Sequence, residues 1–165
     1  MGSARAIGSV IALLATIGCA QPPRVDVAAE EHAIRQRFAE WVAVEKARDL
    51  EASVAFLTAD ALIHGPGAPA VQGVDAARPI WKAFFEIPYT DLVTVGTRTV
   101  VVAQSGDLAS DFGSWKLIVP GSADQGGKSA ITWQKRDGKW MVTALAFSMD
   151  APPAPAPAPA PSGKR

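Results

Sequence analysis

The chain has 165 residues, of which 48% are apolar and 19% are charged, and this balance is typical of a globular protein with one domain. Its 16 basic and 16 acidic residues give a formal net charge of zero. A nucleic-acid-binding surface needs a concentrated basic patch, which this sequence lacks, so nucleic acid is not predicted as a partner.

The first 18 residues have the pattern of a secretory signal. Arg5 supplies a positive start, and the apolar run VIALLATIG, from Val10 to Gly18, has the length of a signal's hydrophobic region. The run is too short to span a bilayer as a permanent helix. It ends at Cys19, which is the only cysteine, so no internal disulfide can form.

The ending T-I-G-C resembles a bacterial lipobox, in which a small residue precedes a cysteine that is lipidated and becomes the new N-terminus. The alternative is a plain cleaved signal. The resemblance implies a lipid anchor at Cys19 in the bacterial cell envelope. Ala20 after the cysteine resembles lipoproteins sorted to the outer membrane, on its periplasmic side.

Composition divides the rest of the chain into three parts. Residues 19–29 form a tether, in which the prolines of the sequence QPPR interrupt any helix. Residues 30–150 form the folded domain, long enough to bury one core without disulfides. Residues 151–165 are a low-complexity Pro/Ala tail, predicted to be disordered and extended because it has no apolar face to bury.

Three helices are predicted at the start of the domain. The first has an apolar face at helical spacing, formed by Ile34, Phe38, Trp41 and Val42. Asp49 is a candidate N-cap for a second, short helix. A third helix follows Gly73, and its regular part is expected to begin at Arg78 or Pro79, because proline suits the first turn of a helix.

From Asp91 onward the sequence changes to strands. The run LVTVGTRTVVVA is rich in β-branched residues, and ASDFGSWKLIV, KSAITWQKR and KWMVTALAFSMD follow it, separated by turn residues. Asp137-Gly138 is the strongest hairpin signal in the chain. Helices followed by a run of antiparallel strands predict an α+β domain, not a parallel doubly wound sheet.

The order of these elements and two phrases, TADALIHGPGAPAVQGVDAARPIW and ITWQKRDGKWMVTALAFS, resemble the nuclear transport factor 2-like superfamily. The resemblance covers roughly Glu30 to Met149 and is to the branch of SnoaL-like and ketosteroid-isomerase-like domains. It implies a cone: a strongly curved antiparallel sheet packed on three N-terminal helices, with a central pocket. It also implies a homodimer. Since this fold serves as enzyme, carrier and scaffold, the resemblance alone implies no activity.

The catalytic groups of ketosteroid isomerases are not found at the matching positions. Those enzymes use a carboxylate base, together with a tyrosine and a protonated aspartic acid that form an oxyanion hole. In this chain the base position falls on Gly65, the tyrosine position on Trp41 and the aspartic acid position near Ile131. Enolisation of a steroid by that mechanism is therefore not predicted.

Two other residues are candidates for acid–base chemistry. His64 ends the apolar run LIH, and strand alternation turns it away from the pocket unless a bulge at Gly65 reverses the direction. We expect it at the pocket entrance, as a polar strand end and not as the essential base. Asp111 shares the parity of Trp115, so it could face inward near the rim and act as acid or base, or be exposed like most strand-end aspartates.

Aromatic and aliphatic side chains are the predicted wall of the pocket, because ligand pockets are mostly apolar. The candidates for ligand binding are Trp41, Ile63, Trp81, Phe85, Trp115, Ile131, Trp133 and Phe147. The indole nitrogens of Trp41 and Trp133 are the expected hydrogen-bond donors to a ligand. No metal or other cofactor is predicted, because His32 and His64 lack chelate spacing. A serine nucleophile is not predicted either, because no Gly-x-Ser-x-Gly elbow occurs.

The sequence thus predicts a lipid-anchored envelope protein that binds a small apolar or aromatic molecule. One alternative is an isomerase, cyclase or hydrolase that uses His64 or Asp111. Another is a dimeric scaffold whose dimer face and Pro/Ala tail contact partners in the envelope.

Overall fold

The structure is a computed structural model and describes residues 25–150. The predicted signal sequence, Cys19 and the Pro/Ala tail lie outside the described residues. Within this range no helix is both long enough and apolar enough to cross a membrane.

Residues 25–150 contain three helices, α1 (Val27–Lys46), α2 (Leu50–Val54) and α3 (Val74–Glu86), and two strands lie between α2 and α3. The Asp26 side chain caps α1 by accepting from the backbone N–H of Ala29, and Asp49 caps α2 in the same way. The predicted N-cap at Asp49 is therefore confirmed.

The expected start of α3 is wrong. The helix begins at Val74, directly after Gly73, so Pro79 lies inside it and not in its first turn. Gly73 has a φ of 89°, a conformation that suits glycine, and its carbonyl accepts the N–H of Ala77, which starts the helix early. Proline removes one helical hydrogen bond, and Pro79 is exposed, so its ring lies on the solvent side.

Six strands form one sheet: β1 (Leu57–His64), β2 (Val71–Gln72), β3 (Asp91–Val102), β4 (Leu108–Ile118), β5 (Gln125–Arg136) and β6 (Lys139–Met149). Their order is β2-β1-β6-β5-β4-β3. Neighbours are antiparallel except β1 and β6, which run parallel. The sheet is curved and unclosed, and register shifts interrupt β3–β4, β5–β6 and β1–β6, as bulges do where a sheet bends. The predicted α+β class and cone-like architecture are confirmed.

The core lies between the helices and the inner face of the sheet. Helix α1 packs against β3 and β6, and α3 packs against β1 and β2. Trp41 is at the centre of the core, with its ring centroid 6.1 Å from those of Phe56, Trp81 and Trp133. This aromatic cluster fixes α1 to the sheet and leaves space beside it, toward β3 and β4.

Candidate functional site

A cavity of about 350 Å³ lies between α1, α3 and the inner face of β3–β6. Its wall is largely apolar and includes Phe38, Trp41, Ile80, Trp81, Phe84, Leu92, Trp115, Leu117, Ile131, Leu145 and Phe147. The polar side chains that line it are Glu45, Thr94, Arg98, Gln125 and Ser129. This combination of an apolar wall and a few polar groups is typical of sites for small molecules.

The structure separates the predicted ligand-binding residues into two groups. Those that line the cavity are Trp41, Trp81, Trp115, Ile131 and Phe147. Those that do not line it are Ile63, Phe85 and Trp133. Ile63 and Trp133 are fully buried in the core, and Phe85 packs against that core. On α3 it is the adjacent Phe84 that reaches the cavity, because successive side chains on a helix point in different directions.

The indoles expected to donate to a ligand donate to the protein instead. Nε1 of Trp41 donates to the backbone oxygen of Ser53 at 3.1 Å. Nε1 of Trp133 donates to Oδ2 of Asp111 at 3.3 Å. That expectation is therefore wrong, and the reason is general: a buried N–H is almost always satisfied within the protein.

Asp111 lies inside the domain and not at the rim, so its expected place is wrong. The side chain is buried, and its Oδ1 is 2.7 Å from Nε of Arg98 in an ion pair. The sequence correctly indicated that Asp111 and Trp115 point to the same, inner face of β4, since Gly113 does not interrupt the alternation between them. Both carboxylate oxygens of Asp111 are engaged inside the protein, Oδ1 by Arg98 and Oδ2 by Trp133, and the side chain does not line the cavity, so it does not reach a ligand there.

Arg98 was missed by the sequence analysis, although it lines the cavity. Its guanidinium donates to Asp111 and to Oγ of Ser129 at 3.2 Å, and it stacks over the ring of Phe38 at 4.0 Å. The signal was available, because Arg98 has the parity of the buried Val100 and Val102 on β3.

His64 lies on the face of β1 opposite to the core. Its side chain is exposed, whereas the adjacent Ile63 is fully buried, and His64 does not line the cavity. The expectation that it marks the entrance is wrong, because strand alternation turns it outward. The next residue, Gly65, lies against the ring of Phe147, and a Cβ there would be 3.1 Å from Cζ of that ring.

Glu45 is the acidic side chain of the cavity wall and was not among the predicted site residues. It follows Trp41 by one helical turn, so both lie on the same side of α1. Its Oε1 accepts a hydrogen bond from Nε1 of Trp81 at 2.9 Å. Burial raises the pKa of Glu45 to about 7, and the Trp81 hydrogen bond only partly opposes this shift. The spacing from Trp41 was the sequence signal for this residue.

The family model of the SnoaL-like domain matches residues 38–143. The chain belongs to the SnoaL-like family. The match spans all the elements that enclose the cavity except the start of α1 and the end of β6.

Solved structures agree with this SnoaL-like fold. A ketosteroid isomerase-like protein from Erwinia carotovora atroseptica is 22% identical with a TM-score of 0.65, covering 74% of this chain and 98% of its own. An NTF2-like protein of unknown function from Pseudomonas putida is also 22% identical, with a TM-score of 0.63 and coverages of 73% and 86%. An NTF2-like protein with a cystatin-like fold from Novosphingobium aromaticivorans is 17% identical, with a TM-score of 0.62 and coverages of 77% and 86%. At these identities the likeness concerns the fold alone. Among curated proteins, none matches the sequence.

The positions matched to the ketosteroid isomerase groups are occupied differently in this SnoaL-like domain. Trp41 and Ile131 line the cavity with apolar surface, and Gly65 does not reach it. Glu45 instead brings a carboxyl to the wall from α1. Within residues 25–150, no group of three or more His, Cys, Asp or Glu side chains is placed to hold a metal ion.

Proposed function

We propose that this SnoaL-like domain binds a small apolar or aromatic molecule in its cavity. The observation that carries the proposal is the cavity itself, about 350 Å³ in volume and walled mainly by aromatic and aliphatic side chains. Binding sites for small molecules typically measure roughly 300–1,000 Å³, and burial of apolar ligand surface drives association. The cavity is therefore of a size for a ligand with one or two rings.

The rival hypothesis of an enzyme that uses His64 or Asp111 has less support. His64 is exposed outside the cavity, and Asp111 is buried behind the cavity wall, where it pairs with Arg98. A general acid or base must come within hydrogen-bonding reach of the proton it transfers. Neither residue meets that condition for a ligand in this cavity.

Binding is tested with 2-naphthylmethanol, a neutral two-ring probe, by quenching of tryptophan fluorescence and by calorimetry. Trp41, Trp81 and Trp115 line the cavity, so an occupied cavity should change their emission. Saturable binding with one site per chain is expected. If neither this probe nor a series of one- and two-ring apolar molecules binds, the proposed function is wrong.

A matched pair of variants on α3 locates the binding site. Ala83 is exposed but lines the cavity, and Ala76, two turns earlier on the same helix, is exposed and does not line it. Ala83→Trp places an indole at the mouth and should weaken binding severalfold, while Ala76→Trp should not. Equal affinities for both variants would place the ligand elsewhere.

We also propose that the protein is anchored in the envelope through lipid on Cys19. The proposal rests on the apolar run that ends at Gly18-Cys19. Metabolic labelling with a fatty-acid probe should mark the full chain in a bacterial host and should not mark Cys19→Ser. Labelling of both proteins, or of neither, would contradict the anchor.

A further inference from the structure

The Glu45 carboxyl has an oxygen available to a ligand. Oε1 accepts from Trp81, but no donor among residues 25–150 contacts Oε2. The neighbouring hydroxyl of Tyr89 donates to the backbone oxygen of Glu45 at 2.9 Å and not to its carboxyl. The side chain is part of the cavity wall, so Oε2 can receive a hydrogen bond from a molecule in the cavity.

The cations nearest in the sequence and in the cavity are paired elsewhere. Nζ of Lys46, the residue after Glu45, is 2.8 Å from Oδ1 of Asp91. Arg98 lines the same cavity but is held by Asp111 at 2.7 Å. Glu45 has no ion-pair partner in the described part of the chain. A carboxylate in a largely apolar wall, without a countercharge, is costly unless a ligand supplies one.

The surrounding wall favours a positive charge next to an apolar body. Trp81 contacts Glu45 directly, and Trp41, Phe84 and Trp115 line the same cavity. The faces of aromatic rings attract cations, and they also pack well against flat apolar groups. A molecule with an ammonium group on an aromatic or aliphatic skeleton would satisfy both kinds of surface.

We propose that the cavity selects ligands that carry a protonated amine on an apolar or aromatic body, with the ammonium donating to Oε2 of Glu45. The inference rests on the proposed function and names its ligand class. No covalent step is involved, since the amine is recognised through a charge-assisted hydrogen bond and ring contacts.

The titration of Glu45 supports this assignment and provides a second readout. Burial raises its pKa to about 7, so near neutrality a fraction of the free protein carries a protonated Glu45. An ammonium ligand stabilises the ionised form, and binding should release a proton. The charged or titratable groups around Glu45 are Tyr89, whose pKa is raised by burial, Arg48, which stacks on Tyr89, Lys46, which is next in the sequence, and Arg98, which lines the same cavity. Tyrosine, lysine and arginine keep their charge states between pH 5.5 and 8, so this proton should come from Glu45.

The test compares 2-naphthylmethylamine with 2-naphthylmethanol by calorimetry at pH 8. The two probes share one skeleton and differ in the group offered to Glu45. The amine should bind roughly ten- to a hundredfold more tightly, as expected for a charge-assisted hydrogen bond in a partly buried, largely apolar site. An alkylammonium stays protonated from pH 8 to 5.5. Amine affinity should therefore fall over this range as Glu45 becomes protonated, whereas alcohol affinity should change little.

Glu45→Gln removes the negative charge without changing the shape of the site, because glutamine has the same length and its amide oxygen can still accept from Trp81. This variant should lose the amine preference and keep alcohol binding. The control is Glu40→Gln on the same helix, where the exposed side chain pairs with Arg37 outside the cavity; it should retain the preference. Circular dichroism verifies that both variants are folded.

The other possible results show whether the amine inference or the proposed function is wrong. If the alcohol binds as tightly as the amine in the unmodified chain, the amine inference is overturned and the proposed function stands. If the preference persists in Glu45→Gln, the amine is recognised elsewhere and the inference is also overturned. If neither probe binds, and the series of one- and two-ring apolar molecules does not bind either, the proposed function itself fails.

Discussion

At the scale of single residues, Glu45 changes the character of the cavity more than any predicted site residue does. The carboxyl lies on a wall of aromatic and aliphatic side chains, one helical turn from the central Trp41. Its only hydrogen-bond donor in the described chain is the indole of Trp81. Burial therefore raises the pKa of Glu45, and this single hydrogen bond only partly opposes the shift. The raised pKa affects the stability of the domain as well as ligand binding.

We predict that Glu45 makes the domain less stable as pH rises. The ordinary pKa of 4.5 applies when the chain is unfolded, and the folded value is about 7. Because folding raises this pKa, the Glu45 contribution to the free energy of unfolding is fully present below about pH 4.5 and is lost as pH rises through about 7. The loss is on the order of 3 kcal/mol at most, from the size of the pKa difference. Denaturant unfolding at pH 5 and 8 measures it.

Glu45→Gln should remove this dependence, because glutamine does not ionise. The variant should exceed the unmodified chain in stability at pH 8 and approach it at pH 5. Identical pH profiles for the two proteins would show that the folded-state pKa of Glu45 is not raised.

At the scale of elements, one glycine on β4 makes room for the buried ion pair. The register of β3 shifts between Val95 and Thr99. This stretch contains Gly96, whose φ is 69°, and Arg98. The Arg98 side chain then crosses Gly113. A Cβ at Gly113 would be 2.5 Å from Nη1 and 2.8 Å from Cγ of that arginine. The second contact involves the base of the side chain, which cannot swing away while the guanidinium still holds Asp111.

Gly113→Ala is therefore expected to destabilise the domain by roughly 3 kcal/mol, because it displaces Arg98 and leaves the Asp111 charge buried without its partner. Chemical denaturation at neutral pH gives the value. Gly126→Ala on β5 is the control, since a Cβ there makes only ordinary contacts, the nearest at 3.4 Å from the backbone oxygen of Trp115. If both variants lose the same stability, the close approach of Arg98 is not the cause.

At the scale of the whole molecule, the outer face of the sheet exposes apolar side chains. Four large ones on β3 and β4 are between 44% and 56% exposed: Val95, Val101, Leu108 and Phe112. Strand alternation turns them away from the cavity, and their neighbours on the outer face include Thr99, the strand partner of Phe112. An apolar patch of this kind commonly marks a protein contact. We propose that it is the contact face of the homodimer that the sequence resemblance implied.

Phe112→Lys should break that dimer, because two copies related by a twofold axis would bring like charges onto an apolar contact. Light scattering on residues 20–165 should show a dimer for the unmodified sequence and a monomer for this variant. Leu62→Lys changes an exposed apolar side chain on β1, which is outside the patch on β3 and β4, and should leave the dimer intact. A monomeric unmodified protein would end the proposal.

Features that depend on neighbouring residues were predictable from the sequence. The Asp49 cap is local, as is the Asp137-Gly138 turn, where both residues have positive φ. The inward parity of Asp111 and Trp115 is also local, because a strand alternates its faces wherever it lies. The α+β class followed from the order of such segments, and the family resemblance supplied the cone and the cavity.

The tertiary structure decided which side chains meet inside that cavity. Glu45 and Trp81 are 36 positions apart, Trp133 and Asp111 are 22 apart, and Arg98 and Asp111 are 13 apart. Each contact joins different elements, so neither periodicity nor spacing along one element shows it. The shifts in β3 and β6 also change which residues of paired strands face each other. The sequence by itself therefore determined the elements and their buried faces. Only their packing decided that Asp111 pairs with Arg98 while Oε2 of Glu45 has no donor among residues 25–150, because those pairings depend on distances between segments far apart in the chain.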